Sequence, residues 1–215
     1  MGKQLSTRPR RKESLAKSAR RRMVIDAAIR LFAEKGYRTT SVEDIMSTLD
    51  STGAAFYYYF KSKEKVLAAI FDEAMGHAER ELAKVLDLGL SPPEALEQII
   101  AAHARVIGEN LHLSTVMFQD LRAVSPMLAR EVTQRERKYT HAIRDIYAQG
   151  VANGTLISSD PELVVDALLG MANSIYRWYQ PWRHPDPVAI GDLIGRLAIT
   201  SVSTKPADRP NARSR

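Results

Sequence analysis

At 215 residues with 45% hydrophobic side chains, the chain has room for one or two domains with a real core, and no apolar run approaches bilayer-spanning length. Cysteine is absent, which excludes a disulfide framework and a thiolate metal site, and the basic N-terminus lacks an apolar signal core, so a soluble, cytoplasmic protein is expected. The net charge of +6 is unevenly spread: in residues 1–22 nine Lys and Arg face only Glu13, giving +8, and the remainder therefore carries −2.

In chain order, residues 1–18 read as a disordered basic arm that tracks phosphates or enters a minor groove, the plainer alternative being a solubilising tail. A membrane surface is disfavoured because no amphipathic anchor accompanies the charge. From Ala19 the pattern turns helical. Val24, Ala28, Leu31 and Phe32 form one stripe, and Lys35-Gly36 supplies a basic last turn and a left-handed stop.

Ser41 to Phe60 reads as a helix-turn-helix, placed in a DNA-binding segment over 19–62. Val42, Ile45, Met46 and Leu49 share one helical face, and Thr40 stands as N-cap with Glu43 closing a capping box. Leu49-Asp50-Ser51 makes the turn, and Thr52 caps a second helix that opens with Gly53, Ala54 and Ala55 and ends in Tyr57, Tyr58 and Tyr59. Small residues let a backbone approach base edges, and a tyrosine hydroxyl can bond a phosphate oxygen. The DNA-contact set is therefore Thr40, Ser41, Thr52, Gly53, Ala54, Ala55, Tyr57, Tyr58, Lys61 and Lys63, with Arg21 from the arm side. For Tyr57 and Tyr58 a core aromatic cluster is the competing reading; for Phe56 and Phe60 core packing is the better one. Ser62 can cap the next helix, which runs through Leu67, Ile70, Phe71, Ala74, Ala78, Leu82 and Val85 to about Gly89 and links the head to a second domain.

That second domain, over 63–203, announces its helices by a capping residue followed by proline: Ser91-Pro92, Ser125-Pro126, Asp160-Pro161 and Asp186-Pro187. Helices are predicted at about 92–108, 111–123, 126–152, 161–179 and 187–202, and no stretch alternates as a strand would. The fold class is all-α, with about nine helices. Residues 204–215 read as a disordered tail.

Residues 21–70, with IDAAIRLFAEKGYRTTSVEDI, FYYYF and KSKEKVLAAI, resemble the N-terminal domain of the TetR family of ligand-responsive transcriptional repressors. The resemblance implies a homodimer, a three-helix DNA-binding head and a helical ligand-binding domain behind it. Where the family has Gly and a hydrophobe in the turn, this chain has Asp50 and Ser51; Asp tolerates the left-handed conformation, so the turn is expected to survive. Gly53 replaces the family's usual basic or polar residue, so relatives' operators do not carry over.

GMANSIYRWYQP, residues 170–181, is similar to a segment in the branch of the family that responds to acyl-CoA thioesters. The helix from Pro161 is apolar nearly all round, so one side is expected to line a pocket and another to meet a second subunit. Gly191 and Gly195 on the last helix are expected to allow the close approach of that partner, placing the homodimer interface on the last two helices, the alternative being ordinary core within one chain. Asn173, Tyr176, Arg177 and Trp178 bring polar tips to the pocket, with Arg177 on a phosphate or carbonyl, and Met171, Met117, Phe118 and Tyr139 complete the ligand-binding set. An interface cluster, or plain core for Met117, Phe118 and Tyr139, is the alternative. The five histidines have no metal-ligand spacing, so no metal is expected; His103, near Arg105, could serve a ligand, but a satisfied polar residue is the better reading. No cofactor is expected beyond an effector such as an acyl-CoA. An enzyme is disfavoured because no phosphate-binding loop, activated nucleophile or metal constellation is present. The expected partners are an operator duplex, a second copy and a small effector; an efflux-controlling repressor of a lipophilic compound is the runner-up.

Overall fold

The computed structural model describes residues 8–204. The helices are α1 Arg8–Lys35, α2 Val42–Ser47, α3 Gly53–Phe56, α4 Lys63–Leu86, α5 Pro92–Glu109, α6 Leu111–Asp120, α7 Pro126–Ala152, α8 Pro161–Asn173, α9 Ile175–Trp178 and α10 Pro187–Val202, with a 3₁₀ turn at Leu121–Ala123. Among the described residues β pairing is confined to one antiparallel bridge between Leu156 and Ser203, so the fold is all-α as expected.

Three elements differ from the sequence reading; the first is α3, expected to carry Tyr57, Tyr58 and Tyr59, which ends at Phe56 with Tyr57 as its C-cap and the tyrosines in a turn. α1 begins at Arg8, not Ala19, so residues 8–18 are helix and not a disordered arm. The physical reason is composition: Arg, Lys, Glu, Leu and Ala lose little rotamer freedom in a helix, and Pro9 falls in the first turn, where its missing N–H costs nothing. The rest of the arm, residues 1–7, and the tail beyond Thr204 lie outside the described residues. The helix predicted over 161–179 is interrupted at Ser174, which separates α8 from α9. The Ser174 hydroxyl donates back to the Met171 carbonyl at 2.7 Å, a local bond that competes with the helical ladder.

Two compact units emerge, and the chain passes between them more than once. The first comprises residues up to Glu73 together with Thr115–Ala129; the second comprises Ala74–Ser114 and the chain from Arg130 onward. In the first unit the predicted stripe closes the core: Val24, Ala28, Leu31 and Phe32 are buried, with Ile45, Met46, Phe56, Phe60, Leu67 and Ile70. Val116, Met117 and Leu128 of the inserted segment are also buried there. The insert is held by hydrogen bonds as well: the Tyr37 backbone N–H donates to both Asp120 carboxylate oxygens at 3.2 and 3.3 Å, and the Ser125 N–H donates to Glu64 at 2.9 Å.

In the second unit all the remaining cap-proline pairs start helices where the sequence placed them. Ser91 and Glu94 form a capping box, Asp160 accepts from the Glu162 N–H, and Asp186 accepts from the Ala189 N–H at 3.0 Å. α5 and α10 pack closely along their lengths. A Cβ on Gly191 would stand 2.6 Å from the Ala101 carbonyl oxygen, and one on Gly195 would stand 2.8 Å from the Glu97 carbonyl oxygen and from the Ala101 Cβ. This corrects the expectation that Gly191 and Gly195 admit a partner subunit: both are buried against α5 of the same chain. Gly195→Leu is therefore expected to destabilise the folded monomer by about 1–3 kcal/mol through overpacking, read as a lowered urea midpoint. An unchanged midpoint would show that α10 can move off α5 without cost.

Candidate nucleic-acid interface and effector site

The helix-turn-helix forms with its first cap one residue later than expected. Ser41 is the N-cap of α2; the Asp44 N–H donates to its hydroxyl at 3.0 Å and the Ser41 N–H donates to Asp44 at 2.7 Å. These bonds from the Ser41 N–H and hydroxyl hold the Asp44 carboxyl below its ordinary pKa. Thr40, predicted as that cap and as a DNA contact, is 1% exposed, and its hydroxyl donates inward to the Gly36 carbonyl at 2.9 Å. Glu43 is therefore left out of the box and its side chain is exposed. The turn carries the predicted left-handed residue, Asp50 at φ 49°. Thr52 caps α3, with the Ala55 N–H donating to its hydroxyl at 3.4 Å.

The two phenylalanines are core, and the tyrosines between them are not. Phe56 and Phe60 are 0% and 4% exposed, whereas Tyr57 and Tyr58 are 61% and 59% exposed. Thr52, Ala54 and Lys61 are exposed; Gly53 and Ala55 are half-buried. α1 adds two cations to this face. The Lys17 ammonium lies 4.5 Å from the centre of the Tyr58 ring, and the Arg21 guanidinium lies 4.6 Å from that of Phe60. Arg21 was anticipated; Lys17, four residues earlier on the same helical face, joins it because α1 extends farther back.

Lys63 has another task. Its ammonium donates to the Tyr37 and Thr40 carbonyls at 2.7 and 2.6 Å and stands 4.3 Å over the Tyr37 ring, so it closes the α1–α2 turn. Burial lowers its pKa and raises that of Asp120, whose charge in turn favours the ammonium.

In the second unit the predicted ligand residues divide. Tyr139 and Asn173 are joined through His103: the His103 Nδ1 is 2.9 Å from the Tyr139 hydroxyl and its Nε2 is 2.8 Å from the Asn173 side-chain oxygen. Three helices, α5, α7 and α8, thus share one polar network. Met171 and Tyr176 are half-buried, but Arg177 and Trp178 face outward on α9. The Trp178 indole donates to the Ser174 hydroxyl at 3.0 Å, and the Arg177 guanidinium lies 5.4 Å from the Tyr176 ring centre. Met117 and Phe118 belong to the insert of the first unit, where Met117 is buried and Phe118 half-buried. An open groove of about 410 Å³ on the second unit is lined instead by Lys84, Gln98, Ala101, Arg105, Val188 and Asp192 among others. Arg105 pairs there with Glu81 at 2.6 Å.

Burial lowers the His103 pKa, and the bond to Asn173 opposes this in part. Below the unfolded value of about 6.5 the unfolded chain takes up a proton that the folded chain refuses, so stability falls as pH drops. The wild type is expected to lose more stability than His103→Gln between pH 7.5 and 5.5, by at most about 1.4 kcal/mol per pH unit in urea titrations. Equal losses would mean that the ring titrates freely.

Among the described residues no group of three His, Asp or Glu is placed to hold a metal ion, and no helix is long and apolar enough to cross a membrane.

Comparison with known proteins bears on both halves. The profile described as "Bacterial regulatory proteins, tetR family" matches residues 24–70, and "Tetracyclin repressor-like, C-terminal domain" matches residues 89–202. The "Fatty acid metabolism regulator protein" of Bacillus subtilis is 23% identical over 85% of this chain and 95% of its own. A crystal structure of a TetR/AcrR-family regulator from Thermobifida fusca is 38% identical, covers 84% of this chain and 97% of its own, and superposes with a TM-score of 0.65. The structure of AibR in complex with isovaleryl coenzyme A and operator DNA is 24% identical over 82% of this chain and 97% of its own, with a TM-score of 0.75, a likeness of fold.

Proposed function

Because the chain belongs to the TetR family of DNA-binding transcriptional regulators, we propose that this repressor sits on a palindromic operator as a homodimer and leaves it when an acyl coenzyme A thioester binds its helical domain. Members of the family regulate transcription and are not enzymes.

The observation that carries the DNA reading is the exposed face of the head. Thr52, Ala54, Tyr57 and Tyr58 are exposed small and hydroxyl-bearing groups, and Lys17 over the Tyr58 ring and Arg21 over the Phe60 ring add positive charge. Lys61 and the Ser41 end of α2 extend the phosphate-contacting rim, and the small exposed side chain of Ala54 leaves room for close approach. Lys17→Ala with Arg21→Ala is expected to reduce the slope of log affinity against log salt by about two contacts while leaving base preference intact, measured by operator titration at several salt concentrations. An unchanged slope would place the phosphates elsewhere.

Assembly through α8 and α10 is supported by apolar side chains that this chain leaves in solvent. Leu163 is 68% exposed on α8, and Leu193 and Leu197 are 45% and 51% exposed on the face of α10 turned away from α5. Two copies joined there would hold two heads for successive major-groove faces, about 34–36 Å apart or a multiple of it.

A thioester effector suits Arg177, an exposed cation flanked by Tyr176 and Trp178, because aromatic surfaces accept an acyl chain or adenine while guanidinium clamps phosphate. The relative concerned with fatty acid metabolism and the fold neighbour bound to isovaleryl coenzyme A favour the same class. A coupling of about 1–3 kcal/mol weakens DNA binding some five- to 150-fold. The test is titration of medium, long and cyclic acyl-CoAs and their free acids against the protein–operator complex. Release by thioesters alone, lost in Arg177→Ala, is the expected result. Release by lipophilic drugs and by no thioester would make this an efflux-controlling repressor.

A further inference from the structure

Among the described residues of α2 and α3 the acidic and basic side chains are Glu43 and Asp44, and Asp44 is taken up by the Ser41 cap. Glu43 reaches from α2 across the turn to the first residue of α3. A Cβ on Gly53 would lie 2.9 Å from the Glu43 Oε1, 3.5 Å from its Cδ and 3.6 Å from its Cγ. The side chain missing at Gly53 therefore makes the seat that this carboxylate occupies, beside exposed Thr52 and Ala54.

A carboxylate on that face is repelled by every phosphate and can only accept hydrogen bonds. In the major groove it pays for its place against a base edge that donates, and among the bases the acid partner is the cytosine N4 amino group. Guanine and thymine present acceptors at the corresponding edge and repel it, and adenine sets its N6 amino group beside the N7 acceptor, which opposes a carboxylate that has no proton to offer it. We propose that Glu43 is a specificity-determining residue that requires cytosine at one position of each operator half-site, taking the role that the side chain of the first α3 residue would otherwise have. This rests on the docking of α3 in the major groove argued above.

The experiment is selection of binding sites from a randomised duplex library by the full-length chain, followed by affinity measurements at one fixed salt concentration. Wild type is expected to prefer cytosine over other bases by about tenfold at one half-site position. Glu43→Ala is expected to lose that preference and to bind random duplex more tightly, since a repulsive charge is gone. Glu43→Gln should move the preference toward adenine, which a glutamine amide pairs well. Gly53→Ala, whose methyl group displaces the carboxylate, should weaken the cytosine preference at the same position and no other. Ala54→Val serves as the control for docking. If Ala54→Val changes the base profile while Glu43→Ala raises affinity for all duplexes alike, the carboxylate is only a charge and the inference falls. A profile untouched by either change would overturn the docking of α3 as well. Glu43 is exposed, so circular dichroism and thermal unfolding are expected to match wild type in its variants.

Discussion

A chain carrying Leu193→Asp and Leu197→Asp is expected to sediment as a monomer with unchanged helical content, and its affinity for a two-half-site operator to fall by about two orders of magnitude or more. Both side chains stand in solvent in the single chain, so the substitutions remove nothing from its core. In a dimer joined through α8 and α10 the same positions would bury four carboxylates in an apolar seam, where charge is costly without a partner. The loss in affinity follows from linkage: once one head is bound, a joined second head binds as if at high local concentration, and separate chains forfeit that gain. Binding to an isolated half-site should be unchanged. A dimer that persists would put the assembly surface elsewhere on the helical unit.

Lys63→Ala is expected to lower the stability of the chain by about 1.5–3 kcal/mol and to leave the salt slope of operator binding as it was. The lysine makes two charge-assisted bonds to the Tyr37 and Thr40 carbonyls, and Asp120 supplies a countercharge near it. Removal strands both carbonyls and loosens the turn that orients α2, so affinity falls through mispositioning. Denaturant titration combined with operator binding across a salt series checks both parts. A slope reduced by one contact with stability intact would return Lys63 to the phosphate-binding set.

The sequence was most legible where a local signal had one physical meaning. Each Ser-Pro or Asp-Pro pair ahead of a helical apolar pattern marked a helix start, and Asp50 in a turn between two apolar patterns announced its positive φ. The head was legible for the same reason, down to the burial of Phe56 and Phe60. Position within a run of equivalent residues was less so. Thr39, Thr40 and Ser41 can each cap, and tertiary structure decides among them by drawing the Thr40 hydroxyl inward. Glycine on α10 marked close packing, but nothing local could say whether the approaching backbone was another chain or α5. The ligand set was hardest, because it joined residues by chemical type alone. His103 is the satisfied polar residue that the sequence suggested, but nothing local named Tyr139 and Asn173 as the partners that satisfy it.

The return of residues 115–129 to the first unit bears on how the protein is made. Asp120 and Ser125 supply partners for Tyr37 and Glu64, and Val116 and Leu128 are buried, so the N-terminal region lacks part of its own interior until those residues exist. A fragment ending at Glu73 would be short of that interior and should be partly unfolded. During translation the three N-terminal helices are therefore expected to complete their packing only after the start of α7 has left the ribosome. A product truncated before Thr115 is expected to compete poorly for the operator, whereas one that reaches past Ala129 carries every residue of the first unit.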